Sequence, residues 1–316
     1  MKKRELIFVV LIVLHISCNQ ETSNYDKEDP SEKYILKINP GKNSGYKYDI
    51  TNEAEVELEV EGEVIKMINK TDASMNYKIT MDSAGKLIAS MQFEKIHIYT
   101  KNGPRETELD ADNKLSADPS VQLLGLLKKV TFISTLDSNG KTKIISGYKE
   151  LNDKILETFP STDAPTRSAI ESLWNKTISD KIVNQNTAQL FQVFPDTPVY
   201  SGSTWEYINK QDGELPVSIK SQFIIKKINE NYAEIFSFGT IEKGNTQISL
   251  NGIDKGTNAT LSGEQKAEYK IETKTGMILT STVKGDISGV IGVMGREIPV
   301  KIRTTIKVNG SQINKE

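Results

Sequence analysis

Very few side chains in this sequence can do covalent or metal chemistry. Among 316 residues there is one cysteine, Cys18, and there are two histidines, His15 and His97. One thiol cannot close an internal disulfide, and such a meagre Cys/His set cannot build a zinc site. Charge of one sign is not in excess either, with Lys+Arg 40 against Asp+Glu 42, so the basic surface of a nucleic-acid binder is missing. The one long apolar run, Leu6 to Leu14, is too short to span a bilayer. No Gly-x-Ser-x-Gly elbow occurs, so the usual setting of a hydrolase serine is absent.

What is present begins at the N-terminus. Met1-Lys2-Lys3-Arg4 is a positive segment, Leu6 to Leu14 is an apolar one, and Ile16-Ser17-Cys18 closes it with a small residue before the sole cysteine. The layout resembles the lipobox of bacterial lipoproteins, with His15 where that family prefers leucine. The resemblance implies cleavage before Cys18 and a diacylglycerol thioether on its sulfur. The expected organisation is then a signal peptide over 1–17 and a polar tether over 18–33. With ~15 residues the tether reaches about 20 Å.

From Tyr34 the chain reads as strands. Tyr46-x-Tyr48 opens one after turn residues, and Glu55-Val56-Glu57-Leu58-Glu59-Val60-Glu61 alternates with the period of a half-buried strand. Strands are also predicted at 64–68, 77–81 and 87–99. Residues 103–118 read as an acidic, irregular loop. Asp118-Pro119 has the form of an N-cap and first-turn proline for a short helix carrying Leu123, Leu124 and Leu127. A hairpin is expected around Asp137 to Gly140.

The middle is helical by spacing. Tyr148, Leu151, Ile155 and Phe159 define one helix, Ile170, Leu173, Trp174 and Ile178 a second, and Ile182 to Phe194 a third, ended by Pro195 and Pro198. Ser201-Gly202-Ser203 then turns the chain into a strand opened by Trp205-x-Tyr207. Strands pair across 229–231 and 273–276 in the remainder. The fold class is therefore mainly β: antiparallel, strongly curved sheet or sheets in two similar halves, with a central insert of about three short α-helices. The boundaries are 34–147 for the first β half, 148–195 for the insert and 196–316 for the second half.

Candidate sites are few. Once residues 1–17 are removed, His97 is the single imidazole, and alternation places it with Phe93, Lys95 and Tyr99. It reads as a polar strand residue rather than a general base. Glu55, Glu57, Glu59 and Glu61 line one strand face. Same-face neighbours on a strand lie ~6.5–7 Å apart, too far for two carboxylates to share one ion unaided. They read as a solvated face answered by lysines such as Lys66 or Lys78. The acidic loop 106–118 lacks the glycine and final glutamate of a calcium-binding loop. No metal or cofactor is expected.

Gly45-Tyr46-x-Tyr48, Phe191-x-x-Phe194-Pro195-Asp196-x-Pro198, Gly202-x-x-Trp205 and Thr275-Gly276-Met277-Ile278 together resemble a family of Bacteroidetes lipoproteins, known only as a domain of unknown function and numbered 6263. The resemblance implies no activity; it supports an envelope location and a β-rich layout. The structural signature to follow is Tyr46, Tyr48, Phe191, Phe194, Pro195, Pro198, Gly202, Trp205 and Tyr207. The expected role is a non-enzymatic module, lipid-anchored through Cys18 in the cell envelope at the outer membrane, facing periplasm or cell surface. Its partner would be a lipid or other hydrophobic ligand, or an envelope protein, and not nucleic acid. The alternatives are a purely structural or docking module and a hydrolase. Two amphipathic halves leave open whether the inner sheet face is a packed core or a lined cavity.

Overall fold

The structure, a computed structural model, describes residues 32–41, 43–83, 85–136, 142–159, 194–211, 217–247, 258–293 and 296–313. Twelve strands join one antiparallel sheet: β1 (Ser44–Val60), β2 (Glu63–Met81), β3 (Leu87–Asn102), β4 (Arg105–Asp110), β5 (Phe132–Leu136), β6 (Thr142–Ser146), β7 (Thr204–Gln211), β8 (Val217–Ile228), β9 (Tyr232–Gln247), β10 (Asn258–Glu272), β11 (Ile278–Val293) and β12 (Arg296–Ile313). Among the described residues the helices are α1 (Pro119–Leu127) and α2 (Tyr148–Thr158).

Strand order is β6-β5-β3-β2-β1-β12-β11-β10-β9-β8-β7, with β4 beside β3. The first and last strands therefore meet in the middle of the sheet, where β1 pairs with β12 from Gly45↔Ile313 to Leu58↔Val300. The two edges, β6 and β7, come from the middle of the chain. The sheet is mainly β, antiparallel and not closed. One sheet runs through both expected halves. The second and third expected helices and Phe191 lie outside the described residues, as do Cys18 and the signal segment.

Alternation decides which face is buried. In β1 the even-numbered Tyr46, Tyr48, Asn52, Ala54 and Val56 are buried, while Glu53 and Glu59 point to solvent. The turn into β2 needs positive φ at both Glu61 (54°) and Gly62 (85°), the backbone of a tight hairpin. β1 and β2 each run through what reads as two strands in the sequence, because alternation carries on through polar inward residues such as Asn52 and Asn69.

Two local differences have clear causes. β4 replaces part of the expected loop, since Thr107 and Leu109 alternate inward although charged neighbours mask the pattern. A bulge in β3 pairs Met75 with Phe93 but Ser74 with Lys95. One extra residue reverses the facing of all that follows. Phe93 therefore packs on the core and His97 faces outward, correcting the grouping that simple alternation gives.

α1 begins as expected, with the Asp118 carboxylate accepting from Ser120 N–H at 2.7 Å and Pro119 in the first turn. Val121, Leu123, Leu124, Leu126 and Leu127 are all buried, so the helix is enclosed between β4 and α2. α2 buries Leu151 and Ile155 and carries the pairs Lys149–Asp153 and Lys154–Glu150 on its surface.

Candidate functional site

The buried apolar residues fall into two clusters on the inner face. The first holds Tyr46, Tyr48, Tyr77, Phe132, Phe223 and Tyr269 together with the buried residues of α1 and α2. The second holds Val56, Ile219, Ile241, Ala259, Leu261, Ile287, Ile291, Val300 and Ile302, with Leu58 and Met67 packed on it. It has no aromatic ring, and no described helix joins it. The two clusters mark opposite ends of the strands.

The signature residues gather at the helix end. Tyr34 exchanges backbone hydrogen bonds with Val199 (2.8 and 2.7 Å), and Asn39 N–H donates to Thr275 O at 2.9 Å. Residues 34–39 thus form a strap from the Phe194–Val199 segment to the β10–β11 turn, with Leu36 and Ile38 buried beneath it. Gly276 sits where the strap crosses: at φ +68° its missing Cβ would stand 2.3 Å from Lys37 O. Phe194 is buried, Pro195 half-buried and Pro198 exposed. Gly202, at φ +93°, donates its N–H to Ile225 O at 2.7 Å. Trp205 is half-buried and stacked on Phe223, centroids 5.1 Å apart, and Tyr207 is likewise half-buried. Tyr48 packs edge-on against Tyr77 at 5.7 Å, and burial pushes the Tyr48 and Tyr269 phenols up, so both stay neutral. These residues hold one end of the sheet shut; they form no constellation of reacting groups.

On the outer face His97 Nε2 lies 2.7 Å from Glu108 Oε1, and its Nδ1 lies 3.9 Å from Asp72 Oδ2. Thr51 Oγ1 donates to Asp72 at 2.9 Å. This is a cross-strand polar ladder on a solvated face. Glutamates of β1 and of the turn after it are answered by cations: Lys66 reaches Glu57 at 2.6 Å, Arg303 reaches Glu55 at 3.2 Å, and Arg296 reaches Glu61 at 2.7 Å. Lys78 has no part in this, because its register partner is Gly45 at the other end of β1. Among the described residues no group of three or more His, Cys, Asp or Glu is placed to hold a metal ion, and no helix is long and apolar enough to cross a membrane.

The feature that sequence reasoning missed lies between the two clusters. At the level of Ala54 the register carries a row of small and polar inner-face residues across the sheet: Thr100, Asn69, Ala54, Thr304, Gly285, Gln265, Gly239 and Ser221. Asn52 and Ser237 flank it in the adjoining row. The signal was there, since Asn52 and Thr304 occupy the apolar phase of their strands. Lining them up takes the strand register, which the sequence withholds.

Beyond that row the inner-face positions of β1, β11 and β12 are apolar, while Asn102 and Arg105 hold the same phase at the β3–β4 edge, next to Met67. Leu58 and Met67 are half-buried, and Ile65, opposite Leu58 in register, is 40% exposed. Among the described residues these side chains line an apolar surface that reaches water at Ile65, with uncharged polar groups at its inner limit. The architecture and the face define a class: an open antiparallel sheet with an apolar inner face, capped by helices at one end.

Residues 84–278, more than half of the chain, match the model of a family of unknown function (DUF6263), and the chain belongs to that family. No curated protein matches. A solved structure described as lipid-protein interactions in lipovitellin is similar at 11% identity and a TM-score of 0.49, covering 88% of this chain and 26% of that one. The chain thus spans about a quarter of that lipovitellin chain. MucB in its complex with MucA from Pseudomonas aeruginosa is similar at 9% identity and a TM-score of 0.15, covering 81% of this chain and 88% of that chain. At these TM-scores neither likeness carries an argument about function.

Proposed function

We propose that this protein is a non-enzymatic binding module of the cell envelope, held at the outer membrane by a lipid on Cys18, which takes a hydrophobic ligand against the aliphatic end of its inner face. The carrying observation is the apolar lip. Leu58 and Ile65 face inward beside the second cluster, yet Ile65 keeps 40% of its surface in water. Exposed apolar surface continuous with a buried apolar face marks a binding site more often than chance exposure does. A strongly curved sheet in two similar halves, with the further helices expected from the sequence, would give that face the shape to enclose a chain.

The test is displacement of a fluorescent acyl probe. Leu58→Asp with Ile65→Asp should abolish probe binding while the circular dichroism spectrum stays that of the wild type. Undiminished binding by a folded double variant would overturn the reading. Native mass spectrometry of protein extracted in detergent identifies the co-purifying molecule. The anchor has its own test. Cys18→Ser should free the protein from membranes washed at alkaline pH, because the thioether-linked chains supply ~0.8 kcal/mol per buried CH₂. Retention in the pellet would remove the lipid anchor.

An observation on the outer face favours a second reading, docking to an envelope protein. Phe236 and Phe238 face outward with centroids 4.7 Å apart, and Lys226 Nζ stands 4.0 Å over the Phe236 ring. A partner that needs this pair should be lost on Phe236→Ser with Phe238→Ser, and ligand binding should not change.

A further inference from the structure

The inner face carries polar groups that the fold itself does not use. Asn52 is 7% exposed and Thr304 3%. Among the described residues neither the Asn52 Oδ1 nor the Thr304 Oγ1 has a hydrogen-bond partner. They are diagonal neighbours on one face, since Asn52 pairs with Ile306 and Ala54 with Thr304. A buried polar atom left unpaired is a standing loss of stability, and native proteins retain few of them without a use.

Their surroundings make a site of them. The register puts Gly285 beside Thr304, then Gln265 and Gly239. A Cβ on Gly239 would stand 2.6 Å from Ser221 Oγ and 3.5 Å from Gln265 Oε1, so two further polar atoms lean over that glycine. Gln265 and Ser221 are buried too. None of these side chains is charged. The apolar network breaks into two at this level, and Ala54 belongs to neither part.

We infer that this belt is the headgroup subsite of the ligand face, and that the ligand is a neutral amphiphile with a hydroxyl or amide donor next to its chain. This rests on the proposed apolar ligand site and specifies its chemistry. The Asn52 Oδ1 can only accept, so the ligand must donate. A charged head would be desolvated at this level with no counter-charge in its own row among the described residues, the nearest inward-phase cation being Arg105 one row away at the β3–β4 edge, which disfavours carboxylate and phosphate here. The chain of the amphiphile lies against Val56, Ile287 and Ile302 and leaves past Ile65.

The experiment compares two probes on the full chain, 1-monooleoylglycerol and methyl oleate, which share an acyl chain but differ in hydroxyl donors. Wild type should bind the first about tenfold more tightly, the scale of one or two buried hydrogen bonds. Asn52→Leu with Thr304→Val should reduce that ratio to about one. It should also raise the melting temperature of the free protein, because two unpaired polar atoms are gone. Thr304→Ser alone, which keeps the hydroxyl, should keep the preference. Equal binding of both probes by wild type would overturn the headgroup subsite and leave the apolar site standing. Binding of neither probe would overturn both. A high-resolution structure with only ordered water on Asn52 and Thr304 in the presence of monooleoylglycerol would likewise overturn the subsite.

Discussion

The two ends of the sheet bury apolar surface in different ways. At the helix end, rings and leucines interlock: Tyr48 on Tyr77, Phe132 on Tyr148 at 5.5 Å, Trp205 on Phe223, with α1 enclosed among them. At the other end the side chains are aliphatic, glycines interrupt the strands, and the lip is open to water. On the solvent side of that second end, Lys66, Arg296 and Arg303 tie β1 and the turn after it to β2 and β12 through Glu57, Glu61 and Glu55. One end is built to stay shut. The other is tied by ion pairs on its solvent face, and its buried inner residues meet water at the lip, where Ile65 is 40% exposed.

That contrast should be measurable in stability. Leu123→Ala, inside the helix end at 1% exposure, should cost about 3–5 kcal/mol. Ile287→Ala, at the same exposure in the second cluster, should cost nearer 2 kcal/mol, because a cavity that borders an open lip can relax or admit water. Urea unfolding of the two variants is the check. Equal losses would mean that both ends are packed alike, and the case for an open face would weaken.

Gly289 sharpens the comparison from the side of the backbone. Its missing Cβ would stand 2.0 Å from Thr260 O and 3.0 Å from Leu261 Cα, so β10 and β11 approach closely at this point of the second cluster. Gly289→Ala should cost about 2–3 kcal/mol through forced separation of the strands. Gly62→Ala, in an exposed turn with nothing near, should cost about 1 kcal/mol from its positive φ alone. A thermal melt that ranks them the other way would show that the close approach is not a constraint.

Trp205→Ala should follow at about 2 kcal/mol, less than for an enclosed ring, since the indole is half-buried and loses one stacked partner, Phe223. A melting temperature equal to wild type would place the indole outside the cohesive part of the helix end. His97→Gln should change stability by less than ~0.5 kcal/mol, as an outward residue of a solvated face, and should complement a deletion strain at matched protein level. Loss of complementation with a normal circular dichroism spectrum would restore a catalytic reading of the ladder around Glu108 and Asp72.

How much of this was legible in the sequence depends on the range of each signal. Hairpins across 229–231 and 273–276, the Asp118-Pro119 helix start and the helix from Tyr148 rest on neighbours within a few residues, and all stand in the structure. The strand β4 was hidden because Arg105, Glu106, Glu108 and Asp110 outweigh two inward residues in any composition window. The facing of His97 was lost to a single bulge. The pairing of β1 with β12 joins residues some 250 positions apart, as in Glu55 with Arg303, and no local pattern encodes it. The polar belt depends on that pairing throughout, so its members read one by one as ordinary strand residues.

The smallest effect expected is also the one that isolates the outer support of the aliphatic end. Lys66 donates to Glu57 at 2.6 Å, and this hydrogen bond, with attraction from Lys66, Arg303 and Lys301, holds the Glu57 carboxyl below its ordinary value of 4.5. Glu57 in turn raises Lys66 above its ordinary value of 10.5. A carboxyl whose folded value is depressed adds stability above its unfolded value and loses it as the pH falls through the folded one. A lysine whose folded value is raised adds stability below its unfolded value and loses it as the pH rises through the folded one. The pair therefore supports the fold across the neutral range and fades on both sides, below pH 4.5 and above pH 10.5. Lys66 is exposed and Glu57 half-buried on a solvated face, so the gain is small and salt should screen it. The melting temperature of wild type should accordingly fall more steeply than that of Glu57→Gln as the pH is lowered from 5 through the carboxylate range, and roughly 0.5 M salt should bring the two curves together. Parallel curves at low salt would mean that the ion pairs of β1 do not support this end of the sheet, and that its shape is set by the glycine-bent strands alone.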